Sequence, residues 1–268
     1  MEINLITGYI GAEIRNIKLA NATKDEIHAI KQAWLDHKVL VFRDQDITRE
    51  QHIAFGKNFG ELEVHPFAPH PEDYPEIVKI ISNDKRQYAA SNWHSDVTWR
   101  REPSMGSILR GRVIPDVGGD TSFANTAEAY NRLDTDIKHR ADSLYAIHDF
   151  SRAFGQRMTG EEREAKQNKY PPARHPVIRT HPETGERGIY TNKPFVSHID
   201  GISEEESRYL LQILERAVLD PSVQCRIKWK TDTIVMWDNR IVQHQASNDF
   251  YPQNRHVERV TIIGTEPV

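Results

Sequence analysis

Short runs of β-branched and aromatic residues recur along much of the chain, and turn-forming residues separate them. Such runs are typical of β-strands, because these side chains suit a pleated sheet while Gly, Pro, Asn and Asp favour the turns between strands. Residues 175–192 predict a β-hairpin, since the turn-forming segment Pro-Glu-Thr-Gly divides two runs. The strand-like runs lie at residues 38–44, 76–82, 106–113, 175–181, 187–192, 225–230, 233–239 and 259–264.

Capping boxes predict where helices begin. In this motif a Ser or Thr side chain accepts a hydrogen bond from the backbone three residues on, and a Glu or Gln at that position returns the bond. A fourth pair in the chain has Asn in place of Ser or Thr. The candidate pairs are Thr23 with Glu26, Thr48 with Gln51, Ser203 with Glu206, and Asn125 with Glu128.

The order of these elements constrains the fold class. Strands dominate the second half, and helices stand at the start and between strands, which is typical of a β-rich α+β fold with a jelly-roll or barrel-like core and covering helices. The chain of 268 residues has no Gly/Ser/Pro-rich linker, internal repeat or low-complexity segment. We therefore expect one domain over residues 1–268.

Composition argues against several function classes. A net charge of −4 gives no electrostatic reason to expect nucleic acid or an anionic membrane as a partner. The N-terminus lacks a basic leader followed by an apolar stretch, and no apolar run is long enough to span a bilayer, so we expect a cytoplasmic protein. The single cysteine, Cys225, lies in a strand-like run and is expected to be buried and inert.

A histidine followed two residues later by an acid is a common pattern in metal sites, but here it is too frequent to identify one. Composition alone predicts roughly two such triplets, and the chain has five. The pattern therefore needs support from its context. The triplets begin at His70, His94, His181, His198 and His256.

Context favours His94 with Asp96. Side chains two residues apart on a strand point the same way, and residues 97–99 are strand formers, so we expect both ligands on one strand. The triplets at 181 and 70 lie in a predicted hairpin loop and a Pro-rich stretch. The triplet at 198–200 remains a competitor because it borders an apolar pair.

Two arginines follow a candidate third ligand, His244. Iron(II) enzymes that activate O2 hold the metal with two His and one carboxylate and leave positions open. Arg255 and Arg259 would point to one face of a strand, and guanidinium groups bind carboxylates or sulfates bidentately. The alternative is that these arginines are ion-paired with Glu258 or Asp249.

Three segments together resemble a known family: residues 92–99 (NWHSDVTW), 118–123 (GGDTSF) and 237–264 (WDNRIVQHQASNDFYPQNRHVERVTIIG). They are similar to the taurine dioxygenase (TauD/TfdA) family of Fe(II)- and 2-oxoglutarate-dependent dioxygenases, and the resemblance extends over nearly the whole chain. It implies a double-stranded β-helix of the jelly-roll type. It also implies Fe(II) as the metal cofactor, 2-oxoglutarate and O2 as cosubstrates, and hydroxylation of the substrate next to a heteroatom.

The resemblance also implies roles for individual residues. Arg255 and Thr121 would hold the distal carboxylate of 2-oxoglutarate, while Arg259 and His65 would face the anionic group of the primary substrate. Phe154 and Phe195 match family positions over the substrate, although core packing explains them equally well. The implied iron ligands are His94, Asp96 and His244, and the implied substrate-pocket residues are His65, Ala68, Ala90, Val97, Phe154, Phe195 and Arg259.

Two alanines set this chain apart from the taurine-using members of the family. Those members carry a tyrosine and an asparagine near the taurine amine, at positions that align with Ala68 and Ala90. An ammonium group buried there would lose its water without regaining partners, which is costly. We therefore expect an anionic substrate with an apolar tail, such as an alkyl sulfate, a longer sulfonate or an aryloxyalkanoate.

Other functions remain open on the sequence alone. A taurine dioxygenase proper is the alternative within the family. A metal-dependent hydrolase could use the same three ligands but has no use for the arginine eleven residues after His244. A non-catalytic jelly-roll binding protein is the third alternative. In each case the expected partner is a small molecule, and we expect a homo-oligomer, either a dimer or a tetramer.

Overall fold

The computed structural model describes residues 1–65, 68–83, 91–155 and 158–268. Most of its strands are short and lie where the β-branched and aromatic runs predict them. The strands are β1 (Glu2–Leu5), β2 (Ala12–Arg15), β3 (Val39–Phe42), β4 (Val78–Ser82), β5 (Gly106–Val113), β6 (Thr121–Asn125), β7 (Tyr145–His148), β8 (Ala173–Pro176), β9 (Ile178–Thr180), β10 (Arg187–Ile189), β11 (Val196–Ile199), β12 (Gln224–Ile227), β13 (Ile234–Asp238), β14 (Val242–Ala246) and β15 (Arg255–Ile262).

Helices precede, separate and cover these strands. Thr23 and Thr48 form the predicted capping boxes, whereas Ser203 and Asn125 cap their helices without the reciprocal bond. A further capping box, at Thr159, was not predicted from the sequence, and it begins helix α6 (Gly160–Lys169). The helices are α1 (Lys24–His37), α2 (Arg49–Lys57), α3 (Thr126–Asn131), α4 (Thr135–Ala141), α5 (Ser151–Phe154), α6 (Gly160–Lys169) and α7 (Glu204–Val218).

Two sheets face each other and form the jelly-roll core. The larger has seven strands in the order β1-β2-β3-β13-β5-β15-β4, and the smaller has the order β12-β6-β14. Buried side chains from both sheets, including Val235 and Val257 on the larger and Phe123 and Val242 on the smaller, form one apolar cluster. The functional side chains described below lie beside this cluster.

Helices cover the outer face of the larger sheet. Side chains alternate along each strand, so Leu40 and Met236 point away from the smaller sheet and pack with Trp34 of α1 and Phe55 of α2. Gly106 permits this close approach, because a Cβ there would lie 2.5 Å from the Trp34 ring. The central strands β3 and β13 of the larger sheet are therefore buried on both faces, which explains their nearly continuous apolar sequences.

The smaller elements complete the core. Strands β9 and β10 form the predicted hairpin, and β11-β7-β8 form a third sheet. Helix α7 packs on these strands with Leu210, Leu214 and Val218, which are spaced so as to lie on one face of the helix. Cys225 is buried, as predicted, and burial raises the pKa of its thiol to about 12. In the described part of the chain, no helix has both the length and the apolar character needed to cross a membrane.

Candidate active site

His94 and His244 are brought together by their own backbones. His244 lies on β14, and the segment at His94 forms an antiparallel bridge beside it, with hydrogen bonds of 3.1 Å and 2.8 Å between the two residues. Their ring centroids are 4.3 Å apart. The ring of Trp237 supports His244 from the sheet interior at 4.8 Å between centroids. Two histidines distant in sequence thus become neighbours on one surface.

Asp96 lies on a turn, and the prediction that it shares a strand with His94 is wrong. Residues 96–99 form the turn, and Val97 has a φ of 48°, a left-handed conformation that is costly for a β-branched residue. The side chain of Asn239 accepts a hydrogen bond from Asp96 N at 2.6 Å and donates one to Asp96 O at 3.0 Å. Pairing with Asn239 therefore replaces the strand pairing that the local sequence favours.

The turn nevertheless places the Asp96 carboxylate beside both histidines. Candidate ligand atoms of His94, Asp96 and His244 lie within 4.8 Å of one another, and all three residues are buried. His94 Nε2 is 3.8 Å from Asp96 Oδ1. Among the described residues, no other three His, Cys, Asp or Glu side chains are grouped in this way.

The protonation states of these three side chains suit a divalent metal. Burial lowers the pKa of His94 and lowers that of His244 to about 3, so both imidazoles are neutral at physiological pH. Burial alone would raise the pKa of Asp96, but the positive charge of Arg259 and the hydrogen bond from Ser107 act against it and hold that pKa well below its usual range. Two neutral imidazoles and a carboxylate form the donor set that Fe(II) oxygenases use, so the residues present fit the metal.

Hydrogen bonds fix the orientation of the first histidine. His94 Nδ1 lies 2.7 Å from the carbonyl oxygen of Asn92 and therefore donates to it. The lone pair of the neutral ring then belongs to Nε2, the nitrogen that lies toward Asp96. A metal bound at this position would meet an imidazole whose tautomer and ring plane are already set.

Arg259 lies directly beside the metal-ligand cluster. Its Nη1 donates to Asp96 Oδ1 at 2.8 Å. Burial, together with the positive charges of Arg259 and Arg100, lowers the pKa of His65 to about 4, so this imidazole is neutral. His65 Nδ1 accepts a hydrogen bond from Ala68 N at 3.0 Å, which leaves the proton on Nε2. The guanidinium of Arg259 and the neutral N–H donor of His65 thus lie near the carboxylate of Asp96.

Arg255 lies deeper on the same strand. Its Nε donates to Gly119 O at 3.2 Å, and its guanidinium lies 5.7 Å from the centre of the Trp229 ring. Trp229 Nε1 in turn donates to Thr121 Oγ1 at 2.9 Å, so the two predicted 2-oxoglutarate residues adjoin one indole. Gly119 has a φ of 71°, and a Cβ there would lie 3.2 Å from Arg255 Cδ. Burial lowers the pKa of Arg255 to about 10, which still leaves it charged at neutral pH.

Apolar side chains form a wall near His94. The Phe195 ring is buried and meets the His94 ring edge-on at 6.4 Å, and it belongs to one cluster with Val97 and Trp99. Phe154 is 41% exposed and contacts the cluster through Phe195, at 6.2 Å between ring centroids. Ala68 is half-buried, and Ala90 lies outside the described residues.

The residues of the alternative interpretations make contacts away from the ligand cluster. His198 is exposed on β11 and bonds to Ser197, and Asp200 is paired with Arg174. His181 is buried against Asp238, with 3.0 Å between Nε2 and Oδ2. The suggested partners of the two arginines are engaged elsewhere, because Glu258 pairs with Arg49 and Asp249 with Arg226.

Three polar contacts around the site were not foreseen from the sequence. Asn239 holds the Asp96 backbone, Ser107 Oγ donates to Asp96 Oδ2 at 3.0 Å, and Trp229 lies between Thr121 and Arg255. Only Asn239 stands inside a segment that carries the family resemblance. Ser107 lies in a regular strand pattern, where no local signal marks it.

Comparison with known proteins identifies the family. The family model described as "Taurine catabolism dioxygenase TauD, TfdA family" matches residues 2–261. The chain belongs to the TauD/TfdA family. This membership confirms the resemblance and the dioxygenase class predicted from the sequence. The jelly-roll fold class is confirmed as well.

Several TauD/TfdA relatives match along almost the whole chain. An alkylsulfatase from Acinetobacter baylyi is 34% identical, with 98% of this chain and 85% of the relative covered. An alpha-ketoglutarate-dependent sulfate ester dioxygenase from Pseudomonas putida is 33% identical, with coverage of 100% and 91%. The crystal structure of a taurine dioxygenase from Burkholderia xenovorans superposes with a TM-score of 0.87 at 33% identity, with coverage of 100% and 90%.

Proposed function

We propose that this chain is an Fe(II)- and 2-oxoglutarate-dependent dioxygenase that hydroxylates an anionic small molecule with an apolar tail, with an alkyl sulfate ester as the best candidate. The observation that carries the proposal is the contact between Arg259 and Asp96, with 2.8 Å between Nη1 and Oδ1. A substrate whose anionic group binds this guanidinium has its neighbouring carbon beside the metal ligands. A hydrolase or a simple binding protein needs neither an anion-binding arginine beside the metal ligands nor a second one at Arg255.

His94, Asp96 and His244 are the proposed Fe(II) ligands. Bound there, Fe(II) would supply O2 activation, coupled to oxidative decarboxylation of 2-oxoglutarate to succinate and CO2. The protein's own contribution is to hold two neutral imidazoles and a carboxylate in place inside a buried site. Phe195 and Val97 help to exclude water from the side of His94.

Arg255 and Thr121 are proposed to bind the distal carboxylate of 2-oxoglutarate. A guanidinium supported by the Trp229 ring presents a rigid pair of N–H donors, and the Thr121 hydroxyl adds a third polar contact next to the same indole. Arg259 and the neutral His65 are proposed to hold the anionic head of the primary substrate. Each anion thus has one guanidinium and one neutral partner.

The substrate class follows from the head and the tail together. Ala68 is half-buried near His65 and offers a methyl group, which suits an apolar chain better than an ammonium ion. The sulfate ester activities named for two relatives support the same class. Hydroxylation of the carbon that carries the ester oxygen gives an unstable product, which collapses to an aldehyde and hydrogen sulfate. One O2 and one 2-oxoglutarate are consumed for each sulfate released.

The test compares substrates by their products. Purified protein with Fe(II), 2-oxoglutarate and O2 is given hexyl sulfate, hexyl sulfonate, phenoxyacetate or taurine, and succinate and the released anion are measured. We expect the highest kcat/KM for hexyl sulfate. Highest kcat/KM for taurine would favour the alternative of a taurine dioxygenase proper, and no succinate with any substrate would contradict the oxygenase assignment.

The same proposal includes the organisation of the protein. We infer one domain over residues 1–268, because the facing sheets and their helices share continuous apolar clusters. We also infer a cytoplasmic homo-oligomer, either a dimer or a tetramer. Its proposed partners are small molecules, and the net charge of −4 gives no electrostatic reason to expect nucleic acid or membranes. Light scattering after size-exclusion chromatography tests the oligomeric state, and a monomer would contradict it.

A further inference from the structure

We propose that Asn239 and Ser107 are positioning residues for the carboxylate of Asp96, and that the metal affinity of the site depends on them. The inference rests on the proposed function, since it takes Asp96 as a metal ligand. Asn239 fixes the backbone of Asp96, and Ser107 fixes the plane of its carboxylate. Neither side chain is itself one of the grouped ligand side chains.

Asn239 connects three backbone groups in the interior. It is fully buried in the turn after β13, where its Oδ1 accepts from Asp96 N at 2.6 Å. Its Nδ2 donates to Asp96 O and to Ser104 O, each at 3.0 Å. Both backbone polar groups of Asp96 therefore depend on one amide that is 143 residues away in the chain.

The turn that carries Asp96 needs this support. Val97 has a φ of 48°, a conformation that β-branched residues adopt only where the surroundings impose it. Residues 97–99 would otherwise favour an extended chain, which would place the carboxylate differently relative to the histidines. The hydrogen bonds of Asn239 select the turn, and the turn directs the Asp96 carboxylate toward His94.

Ser107 acts on the carboxylate itself. It is fully buried on β5, and its Oγ donates to Asp96 Oδ2 at 3.0 Å. Oδ1, the other oxygen, faces Arg259 Nη1 and His94 Nε2. The hydroxyl thus holds one carboxylate oxygen at the sheet, so that the other stays on the side of the ligand cluster.

Groups that orient metal ligands typically change metal affinity about 10- to 100-fold when they are removed. We expect losses in this range for Asn239→Ala. Ser107→Ala is expected to lower affinity less, by about three- to tenfold, because the backbone turn remains and only the rotation of the carboxylate is released. Both variants retain all three ligand side chains.

The experiment measures binding of the metal alone, by anaerobic calorimetric titration with Fe(II) and independently with Mn(II). Asn125→Ala is a matched control for Asn239→Ala, because Asn125 is also buried and its side chain also makes three hydrogen bonds to backbone groups, at Tyr9, Ala127 and Glu128. Ser207→Ala is the control for Ser107→Ala, since buried Ser207 accepts from Ile199 N. Thermal unfolding is recorded for all variants.

The outcomes separate this inference from the proposed function. We expect both controls to lose stability but to keep their metal affinity, and Asn239→Ala and Ser107→Ala to lose affinity. Unchanged affinity in either variant, while His94→Ala abolishes binding, overturns the positioning role of that residue but leaves the function. Retained binding in His94→Ala overturns both. Should Asn239→Ala not fold, Asn239→Asp, which keeps the acceptor but not the donors, is expected to show the same loss, and normal affinity would refute the role of Asn239.

Discussion

Replacing Arg255 by alanine should impair use of 2-oxoglutarate far more than use of the primary substrate. Burial lowers the pKa of Arg255 only to about 10, so the guanidinium remains almost wholly charged at pH 7.5. It is 5% exposed and lies over the Trp229 ring, where little water competes for its donors. A carboxylate bound there would be left unpaired in the alanine variant.

The expected size of the effect follows from this burial. Truncating one partner of a buried, hydrogen-bonded charge pair costs about 2–5 kcal/mol, and each ~1.4 kcal/mol is a factor of ten, so KM for 2-oxoglutarate should rise about 30- to 5,000-fold. Arg255→Lys keeps the charge but lacks the planar pair of donors. Loss of one charged hydrogen bond costs about 1.5–3 kcal/mol, which predicts a rise of roughly 10- to 150-fold for the lysine variant.

The assay measures the initial rate of succinate formation. 2-Oxoglutarate is varied at a saturating concentration of the primary substrate, and then the primary substrate is varied at saturating 2-oxoglutarate. Arg226→Ala is the control, because Arg226 is exposed and pairs with Asp120 and Asp249 in the same region. Exposed ion pairs contribute at most about 1 kcal/mol, so its KM should change less than about fivefold. A KM for 2-oxoglutarate within threefold of wild type in Arg255→Ala would refute the reasoning.

Three further perturbations have defined outcomes. Alanine at any one of the three proposed iron ligands should abolish metal-dependent turnover in a folded protein, whereas His198→Ala should retain it; normal metal binding without Asp96 would contradict the assignment. Arg259→Ala should raise KM for hexyl sulfate about 30-fold or more and leave KM for 2-oxoglutarate nearly unchanged, and equal effects on both would argue against separate roles. Burial lowers the pKa of His52 from 6.5 to about 4. Between these pH values only the unfolded chain binds that proton, so the free energy of unfolding should decrease as the pH is lowered, by up to about 1.4 kcal/mol per pH unit. Urea denaturation of wild type and His52→Gln checks this, and identical slopes would contradict it.

The sequence predicts those parts of the fold that depend on local patterns. Strand runs such as 106–113 coincide with β5 because alternation and β-branched residues act over a few positions. The boxes at Thr23 and Thr48 begin α1 and α2, since the capping bonds also span only three residues. Sheet order is different, because it depends on which distant strands pair, and no local pattern determines that β13 lies between β3 and β5.

The candidate site shows the same division. The candidate ligands and the two arginines were predicted because their order and spacing together resemble the family, whereas each motif alone left alternatives open. The turn at Asp96 was not, because residues 97–99 are strand formers and the amide of Asn239, 143 residues away from Asp96, overrides their preference. The contact of Ser107 with Asp96 and the place of Trp229 beneath Arg255 likewise arise only when the sheets face each other.

The electrostatics of the head-group site favour a substrate with a single negative charge. His65 is neutral, since burial and two nearby arginines lower its pKa to about 4, and Arg100 is paired with Glu63 at 2.5 Å. Among the described residues around this site, Arg259 supplies the remaining positive charge, and part of that charge is offset by Asp96, 2.8 Å away. A sulfate ester or sulfonate carries one charge at pH 8, whereas a phosphate monoester carries nearly two, and the second would be buried without a partner. Hexyl phosphate should therefore give a kcat/KM at least about tenfold below that of hexyl sulfate, and equal values in the succinate assay would contradict a monoanionic site.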